Sequence, residues 1–252
     1  MFIETLYDTK AYGLLITSSL IMGMSRGGLG GGMGLLGVLV AAQVLNPIAA
    51  AVFLLPILII TDPISVFIYR RNIDWESLKE LFPGVGTGII LGAILITNIT
   101  PKLLQGIIGI LSLILVFNGI RDFFGKTKLK ELSKKWGFGL GTLAGFSSFL
   151  IHAGLPPVAA YILPKKLPRS KFMGTTAVFF GITNLVKVIP YFSLGMFTLE
   201  LFKLTVIMMP VSLIGIWIGR LINGKISDTI FYSIVYISVF MLGVRLLSLA
   251  VT

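Results

Sequence analysis

The chain has 252 residues, of which 56% are apolar and 12% are charged, and its formal net charge is +11. Because a soluble domain normally carries about 25% charged residues, this composition excludes a soluble globular protein and predicts membrane spans of about 20 apolar residues each. The chain has no cysteine and one histidine, His152, so disulfides, thiolate sites and a zinc site are excluded, and we expect no metal and no cofactor.

Six unbroken apolar runs are each long enough to cross a bilayer, some of them with tilt. They are residues 48–68, 82–98, 103–120, 172–192, 203–222 and 229–250. One run of this kind predicts one membrane-spanning helix.

Two further apolar segments are broken in the middle. Segment 11–45 is interrupted from Ser25 to Gly32, and segment 136–164 is interrupted around Ser147-Ser148 and again from Ala153 to Pro157. Each arm beside a break has about 12–15 residues, or about 18–23 Å of helix, which is less than the hydrocarbon thickness. We therefore predict that each segment is a helical hairpin that enters the membrane and returns to the same side.

The basic residues predict how the chain is oriented. Four short loops contain 15 of the 21 Lys and Arg residues (three, six, four and two), and cytoplasmic loops carry such an excess in membrane proteins. The densest stretch, 121–135, is therefore predicted to be cytoplasmic, which places both termini outside. Because the basic residues lie in short loops between apolar runs, the orientation of the chain in the membrane accounts for them. We therefore expect no nucleic-acid partner.

Short motifs recur in the two halves of the chain. Gly23 with its broken helix corresponds to Gly145, and Pro83 with the glycines after it corresponds to Pro210. Each half contains one hairpin and three spans, and an odd number of crossings inverts the second half relative to the first. The predicted fold is an all-α polytopic membrane protein with two inverted half-repeats, 1–120 and 136–252, joined by the linker 121–135. Inverted repeats with discontinuous helices are typical of transporters.

The first break carries groups that suit an anion. Non-helical backbone at membrane depth occurs only where it is buried in protein or lines a wet cavity. Glycines let backbone N–H groups approach a ligand, and the following helix points its positive end into the cavity. The guanidinium adds a full charge with a fork for oxyanions. The candidate binding residues here are Ser25, Arg26, Gly27, Gly28 and Gly30, although close helix packing also explains glycines.

The second break offers weaker candidates. His152 could bind an anion or relay a proton, and it could equally be a packed histidine bonded to backbone carbonyls. Ser147 and Ser148 offer hydroxyl groups to an oxyanion, although serine commonly bonds its own helix backbone in membrane spans.

The more informative polar residues lie inside unbroken runs, where an ionisable group usually faces the protein interior and has a partner. Asp62 lies within 48–68, and Asn184 and Lys187 lie within 172–192. The offset from Gly23 to Gly145 aligns Asp62 with Asn184, so Asp62 and Lys187 could meet across the repeat axis. Such a pair is either a static contact that fixes packing, or a functional one in which Lys187 holds an anion and Asp62 takes part in coupling.

The chain resembles the sulfite exporter TauE/SafE-like family over essentially its whole length. The stretch Gly23–Gly32 is similar to the family's Gly-rich first motif, and Gly174–Lys187, with its Asn184 and Lys187, is similar to the second-half motif. The second break, Ser147–Pro157, departs from the Gly-rich run that the family usually repeats. The resemblance implies transport of small sulfur-containing anions such as sulfite or sulfonates.

The residues and the resemblance together predict a secondary transporter that moves such an anion by alternating access. A passive anion channel on the same fold remains the alternative. We do not expect an enzyme, because an enzyme needs a nucleophile with a base, or metal ligands, and the sequence offers no such set. The expected partners are a small organosulfur or related anion and the bilayer. Protons are the candidate coupling ion, and a homodimer is the candidate assembly.

Overall fold

The structure is a computed structural model that describes residues 9–45, 47–96, 101–123 and 131–251. All regular structure in these ranges is helical, with ten α-helices: α1 Thr9–Met24, α2 Gly31–Ala41, α3 Pro47–Tyr69, α4 Trp75–Leu95, α5 Pro101–Phe123, α6 Lys134–Ile151, α7 Leu155–Ile162, α8 Arg169–Ser193, α9 Leu199–Asn223 and α10 Asp228–Val251. The N-terminal residues 1–8 and most of the predicted linker, 124–130, lie outside the described ranges.

Five helices in the described ranges are long and apolar enough to cross a membrane, namely α3, α4, α8, α9 and α10. They contain the predicted runs 48–68, 172–192, 203–222 and 229–250 and the part of run 82–98 up to Leu95. The sixth run, 103–120, lies in α5, which contains the shorter apolar stretch Gln105–Phe117. Large apolar side chains such as Ile94, Phe192 and Trp217 are exposed on the outer surface, which suits contact with lipid rather than with water. The protein is therefore an all-helical, multi-pass membrane protein.

The first predicted break lies between α1 and α2. After Met24 the chain forms one π-helical turn, Ser25–Leu29, and Gly30 then adopts φ 81°, a left-handed conformation that favours glycine. The Ser18 hydroxyl on α1 donates to the Gly37 carbonyl on α2 at 2.7 Å. The two helices therefore lie side by side as a hairpin.

The second predicted break lies between α6 and α7. His152 ends α6 with φ 52°, and the N–H groups of His152 and Ala153 donate to the carbonyls of Ser148 and Ser147. Two prolines then open α7, where the missing N–H groups cost nothing. This α7 arm has 8 residues, which is shorter than predicted, because a 3₁₀ turn, Leu163–Lys165, follows it.

Glycines bring each hairpin into backbone contact with a span from the other half of the chain. A Cβ atom at Gly23 of α1 would lie 1.9 Å from the Ser212 carbonyl oxygen of α9. A Cβ atom at Gly145 of α6 would lie 2.3 Å from the Val85 carbonyl oxygen of α4. Small residues allow such close packing of membrane helices, so each hairpin has a fixed position.

The two hairpins lie beside a central pair of spans, α3 and α8, which pack against each other. Residues 50–55 in the first half of α3, including Phe53 and Leu54, are buried. The start of α8 is attached to the loop before α4, because the Asp74 N–H donates to the Thr175 hydroxyl at 2.8 Å. Burial raises the pKa of Asp74, but the Ser77 hydroxyl bond and the charge of Lys171 outweigh burial, so the pKa lies below its usual value.

Candidate functional site

Asp62, from the middle of α3, has partners on both of its carboxylate oxygens. Its Oδ1 lies 2.6 Å from Arg26 Nε at the first break, an ion pair in which the N–H is not aligned as a hydrogen bond. Its Oδ2 accepts from the Asn184 side-chain amide of α8 at 2.6 Å. Asp62 is 1% exposed and Arg26 is 8% exposed. Water therefore cannot solvate either charge well, and each charge is compensated by the other.

The predicted direct pair between Asp62 and Lys187 does not form, because the first break lies against α3 and brings Arg26 to the carboxylate. Lys187 turns to the second break instead. Its Nζ donates to the Ser148 carbonyl at 3.1 Å and approaches the Ser148 hydroxyl at 3.2 Å and His152 Nδ1 at 2.8 Å. These three contacts, two to Ser148 and one to His152, attach the Lys187 amino group to the second break.

The hydrogen bonds of His152 determine which ring nitrogen carries its hydrogen. The Nε2 atom lies 2.9 Å from the Ala51 carbonyl oxygen, which can only accept, so Nε2 is the donor. This leaves the lone pair of Nδ1 to accept from Lys187. The imidazole therefore connects α3 with α8 through the second break.

A small cavity lies between the two breaks. Of the predicted site residues, Arg26, Ser148, His152 and Asn184 line it, and the Phe180 ring, 5.4 Å from the Arg26 guanidinium carbon, forms part of its wall. The volume of about 20 Å³ is enough for one water molecule. It is too small for an oxyanion of four or more heavy atoms, so the site in this conformation is closed.

Several predicted binding residues also have packing or hydrogen-bond contacts within the protein. A Cβ atom at Gly27 would lie 2.1 Å from the Ile216 carbonyl oxygen, and one at Gly28 would lie 2.5 Å from the Asn223 side chain, so both face α9. Gly30 supplies the left-handed turn. The hydroxyls of Ser25 and Ser147 donate to carbonyls of their own hairpins, Gly30 at 2.7 Å and Leu143 at 2.7 Å.

Two tyrosines that the sequence analysis did not select hold the breaks from outside the cavity. The Tyr69 hydroxyl, on α3, donates to the Gly27 carbonyl at 2.9 Å, and the Tyr191 hydroxyl, on α8, donates to the Phe149 carbonyl. Both residues of the second pair lie 122 positions after those of the first, which is also the separation of Asp62 and Asn184. The repeat offset could therefore have identified both tyrosines.

The two basic side chains of this cluster differ in their partners. Arg26 is paired with Asp62, whereas Lys187 contacts no carboxylate among the residues that the structure describes. Lys187 is nevertheless fully buried. Because an unpaired buried charge is costly, such a group is retained where it has a function or a partner that arrives later. Lys187 is therefore the basic group of the cluster with which an anion could pair.

Comparisons with known proteins give one match. The profile of the family described as Sulfite exporter TauE/SafE matches residues 15–246, which is nearly the whole chain and includes every residue of the cluster. Comparisons with curated proteins and with solved structures found no match.

Proposed function

This chain belongs to the sulfite exporter TauE/SafE family, and on that premise we propose that it is a secondary transporter of a small sulfur-containing oxyanion. Sulfite and sulfonates are the substrate class. The anion is held between the two hairpin breaks and crosses the membrane by alternating access. The observation that carries this proposal is Lys187, a fully buried lysine without a carboxylate partner among the described residues.

The arrangement around Lys187 suits a sulfur oxyanion. An anion that displaces the Ser148 or His152 contact would replace a neutral acceptor of Lys187 with a negatively charged one. The N-terminus of α7 begins beside the cavity at Leu155 and adds a positive dipole end. Arg26 becomes available only if it leaves Asp62, so it is the second cation of the proposed site.

The closed cavity favours a transporter over the alternative, a passive channel. A cavity of about 20 Å³ has to open before an anion enters, and a channel needs a continuous path. We therefore assign the structure to an occluded state in the transport cycle.

An inverted repeat of 1–120 and 136–252 explains how the same site could open to either side. Two kinds of contact occur twice, at equivalent positions of the proposed repeats. The tyrosine contacts, Tyr69 to Gly27 and Tyr191 to Phe149, form one pair. The glycine contacts of α1 on α9 and of α6 on α4 form the other. The release of one hairpin while the other stays attached would expose the cavity to one side.

Protons are the proposed coupling ion. A proton on Asp62 would remove the charge that holds Arg26, and Arg26 would then be free to hold the anion. Asn184 can remain bonded to either form of the carboxyl group, because an amide has both donors and acceptors. In this scheme the anion and the proton enter the site together.

Uptake into proteoliposomes tests the proposed function. We expect saturable uptake of labelled sulfite or methanesulfonate that increases when a proton gradient is imposed. Arg26→Ala and Lys187→Ala should each reduce uptake at least tenfold. The exposed residues Arg245 and Lys203 give matched controls, and Arg245→Ala and Lys203→Ala should transport normally.

Two outcomes would contradict the proposal. One is the absence of flux for any small anion under any gradient. The other is electrogenic flux at channel-like rates that does not saturate, which would assign the fold to a passive channel.

A further inference from the structure

A second, larger cavity lies on the outer surface between α3 and α8. Its volume is about 450 Å³, and its walls are apolar, with Ile59 and Val66 from α3 and Ile182 and Leu185 from α8. Both helices are membrane spans. The groove therefore opens towards the hydrocarbon of the bilayer, where a polar ligand would lose its hydration.

One end of this groove has a different chemistry. Arg70 and Trp75 line it where α3 ends and α4 begins. The Arg70 guanidinium carbon lies 4.0 Å from the centre of the Phe67 ring, and no described carboxylate pairs with it. Trp75 is 56% exposed. Tryptophan and arginine at the end of a span are typical of the headgroup level of a bilayer.

Four other basic residues at the same predicted side of the membrane differ from Arg70 in having a carboxylate partner. Lys134 and Lys165 pair with Glu80, Lys171 pairs with Asp74, and Arg169 pairs with Asp228. Arg70 thus combines an unpaired guanidinium with an adjoining apolar groove.

We propose that this groove binds one acyl chain of an anionic phospholipid, whose phosphate pairs with Arg70. A guanidinium binds two phosphate oxygens at once, and the apolar walls suit the chain. The predicted orientation places Arg70 in the cytoplasmic leaflet, where anionic lipids are enriched. Apolar walls with a single cation at one end match a lipid better than they match the transported anion.

The floor of the groove connects the lipid to the buried cluster. Asp62 and Gly181 lie there, so an acyl chain would cover the hydrocarbon side of the Asp62–Arg26 pair. This occupancy would exclude water from the pair on that side. The lipid site does not depend on the identity of the transported anion, and the two proposals can fail separately.

Native mass spectrometry of the full-length protein in detergent tests the site with phosphatidylglycerol and phosphatidylcholine as probes. We expect the protein to retain phosphatidylglycerol preferentially, and Arg70→Ala to reduce its affinity about fivefold, as expected for the loss of one basic residue at a lipid headgroup. Arg220 is the matched control, because it also lies near the end of a span over an aromatic ring, Trp217, but lines no part of the groove. Arg220→Ala should bind phosphatidylglycerol as the wild type does.

A second pair of variants tests the acyl chain. A Cβ atom at Gly181 would make ordinary contacts, 3.6 Å from Asp62 Cβ and 3.7 Å from Val66 Cγ2, so Gly181→Ala should keep lipid binding. Gly181→Leu should fill the groove and reduce the adducts of both lipids. If Gly181→Leu does not give monodisperse protein, the phosphatidylglycerol binding of the Arg70 and Arg220 variants tests the proposal by itself.

Three results would overturn the proposal. The first is equal phosphatidylglycerol binding by the wild type and Arg70→Ala. The second is unchanged lipid adducts in folded Gly181→Leu. The third is a lipid-free dimer that Gly181→Leu dissociates, which would make the groove a contact between two copies of the chain.

Discussion

Lys187 lies fully buried in the C-terminal half of α8, with its Nζ atom directed at the second break. Lys187→Ala removes the charge and leaves His152 Nδ1 without its donor. A hydrogen bond to a charged group contributes about 1.5–3 kcal/mol, so we expect sulfite to bind at least tenfold more weakly. Isothermal titration calorimetry in detergent measures this change.

Lys187→Arg is the conservative variant for the same position. It keeps the charge, but a planar guanidinium cannot place its donors as the ammonium does. We expect partial recovery of sulfite binding relative to Lys187→Ala. Equal affinities for the wild type and Lys187→Ala would remove Lys187 from the site.

Arg26 and Asp62 form the second pair to test at this scale. The removal of one partner of a buried ion pair costs about 3–5 kcal/mol, because the other charge is left unpaired. Arg26→Ala should therefore lower the free energy of unfolding by this amount, and the double variant Arg26→Ala with Asp62→Asn should recover most of it. Unfolding in mixed micelles measures the free energy of unfolding of the single and double variants. If the losses caused by the two substitutions simply add in the double variant, the two charges do not interact.

Asp62→Asn also tests coupling. It keeps the size of the side chain and a bond to Asn184 but cannot take up a proton. Uptake by this variant should continue while its stimulation by a proton gradient disappears. Stimulation equal to that of the wild type would assign coupling to another group.

At the scale of elements, glycine positions determine how the hairpins pack. A Cβ atom at Gly145 would lie 2.3 Å from the Val85 carbonyl oxygen, whereas one at Gly139 on the same helix has nothing within 4 Å. We expect Gly145→Ala to lower the free energy of unfolding by about 1–3 kcal/mol through overpacking. Gly139→Ala should be neutral or stabilising, because alanine favours a helix over glycine by up to about 1 kcal/mol. Thermal unfolding of the two variants in parallel makes the comparison, and equal midpoints would contradict the packing role.

The first break and the second break after Ile151 were predictable, but the predicted interruption at Ser147-Ser148 was wrong, because α6 continues as helix to Ile151, and the lengths of the arms were not predictable. Glycines from Ser25 to Gly32 and prolines after Gly154 interrupt local helix formation, so the sequence alone shows where the helices stop. The short α7 depends on the 3₁₀ turn at Leu163–Lys165, where Lys165 is attracted to Glu80 of α4. That contact joins residues 85 positions apart.

At the scale of the whole molecule, the orientation in the membrane is the main prediction to test. The natural chain has no cysteine, so single cysteines can be introduced without a background. Lys135 and Glu200 are both exposed and lie at opposite predicted faces. In intact cells an impermeant maleimide should label Glu200→Cys but not Lys135→Cys, and disruption of the membrane should make both reactive. Labelling of Lys135→Cys alone in intact cells would invert the predicted topology.

The sequence by itself determined that this protein lies in the membrane, where its helices break and which polar residues lie inside its spans. These properties follow from local composition, because apolar length, glycine and proline act within a few residues of the chain. Only the tertiary structure decided which charges pair. Arg26 reaches Asp62, and Lys187 reaches Ser148 and His152, because the hairpins pack beside α3 and α8. Packing between distant segments also turned Gly27 and Gly28 towards α9. Which side chains pair across a long sequence separation depends on how whole helices approach one another. The hydropathy pattern of a sequence does not encode that arrangement.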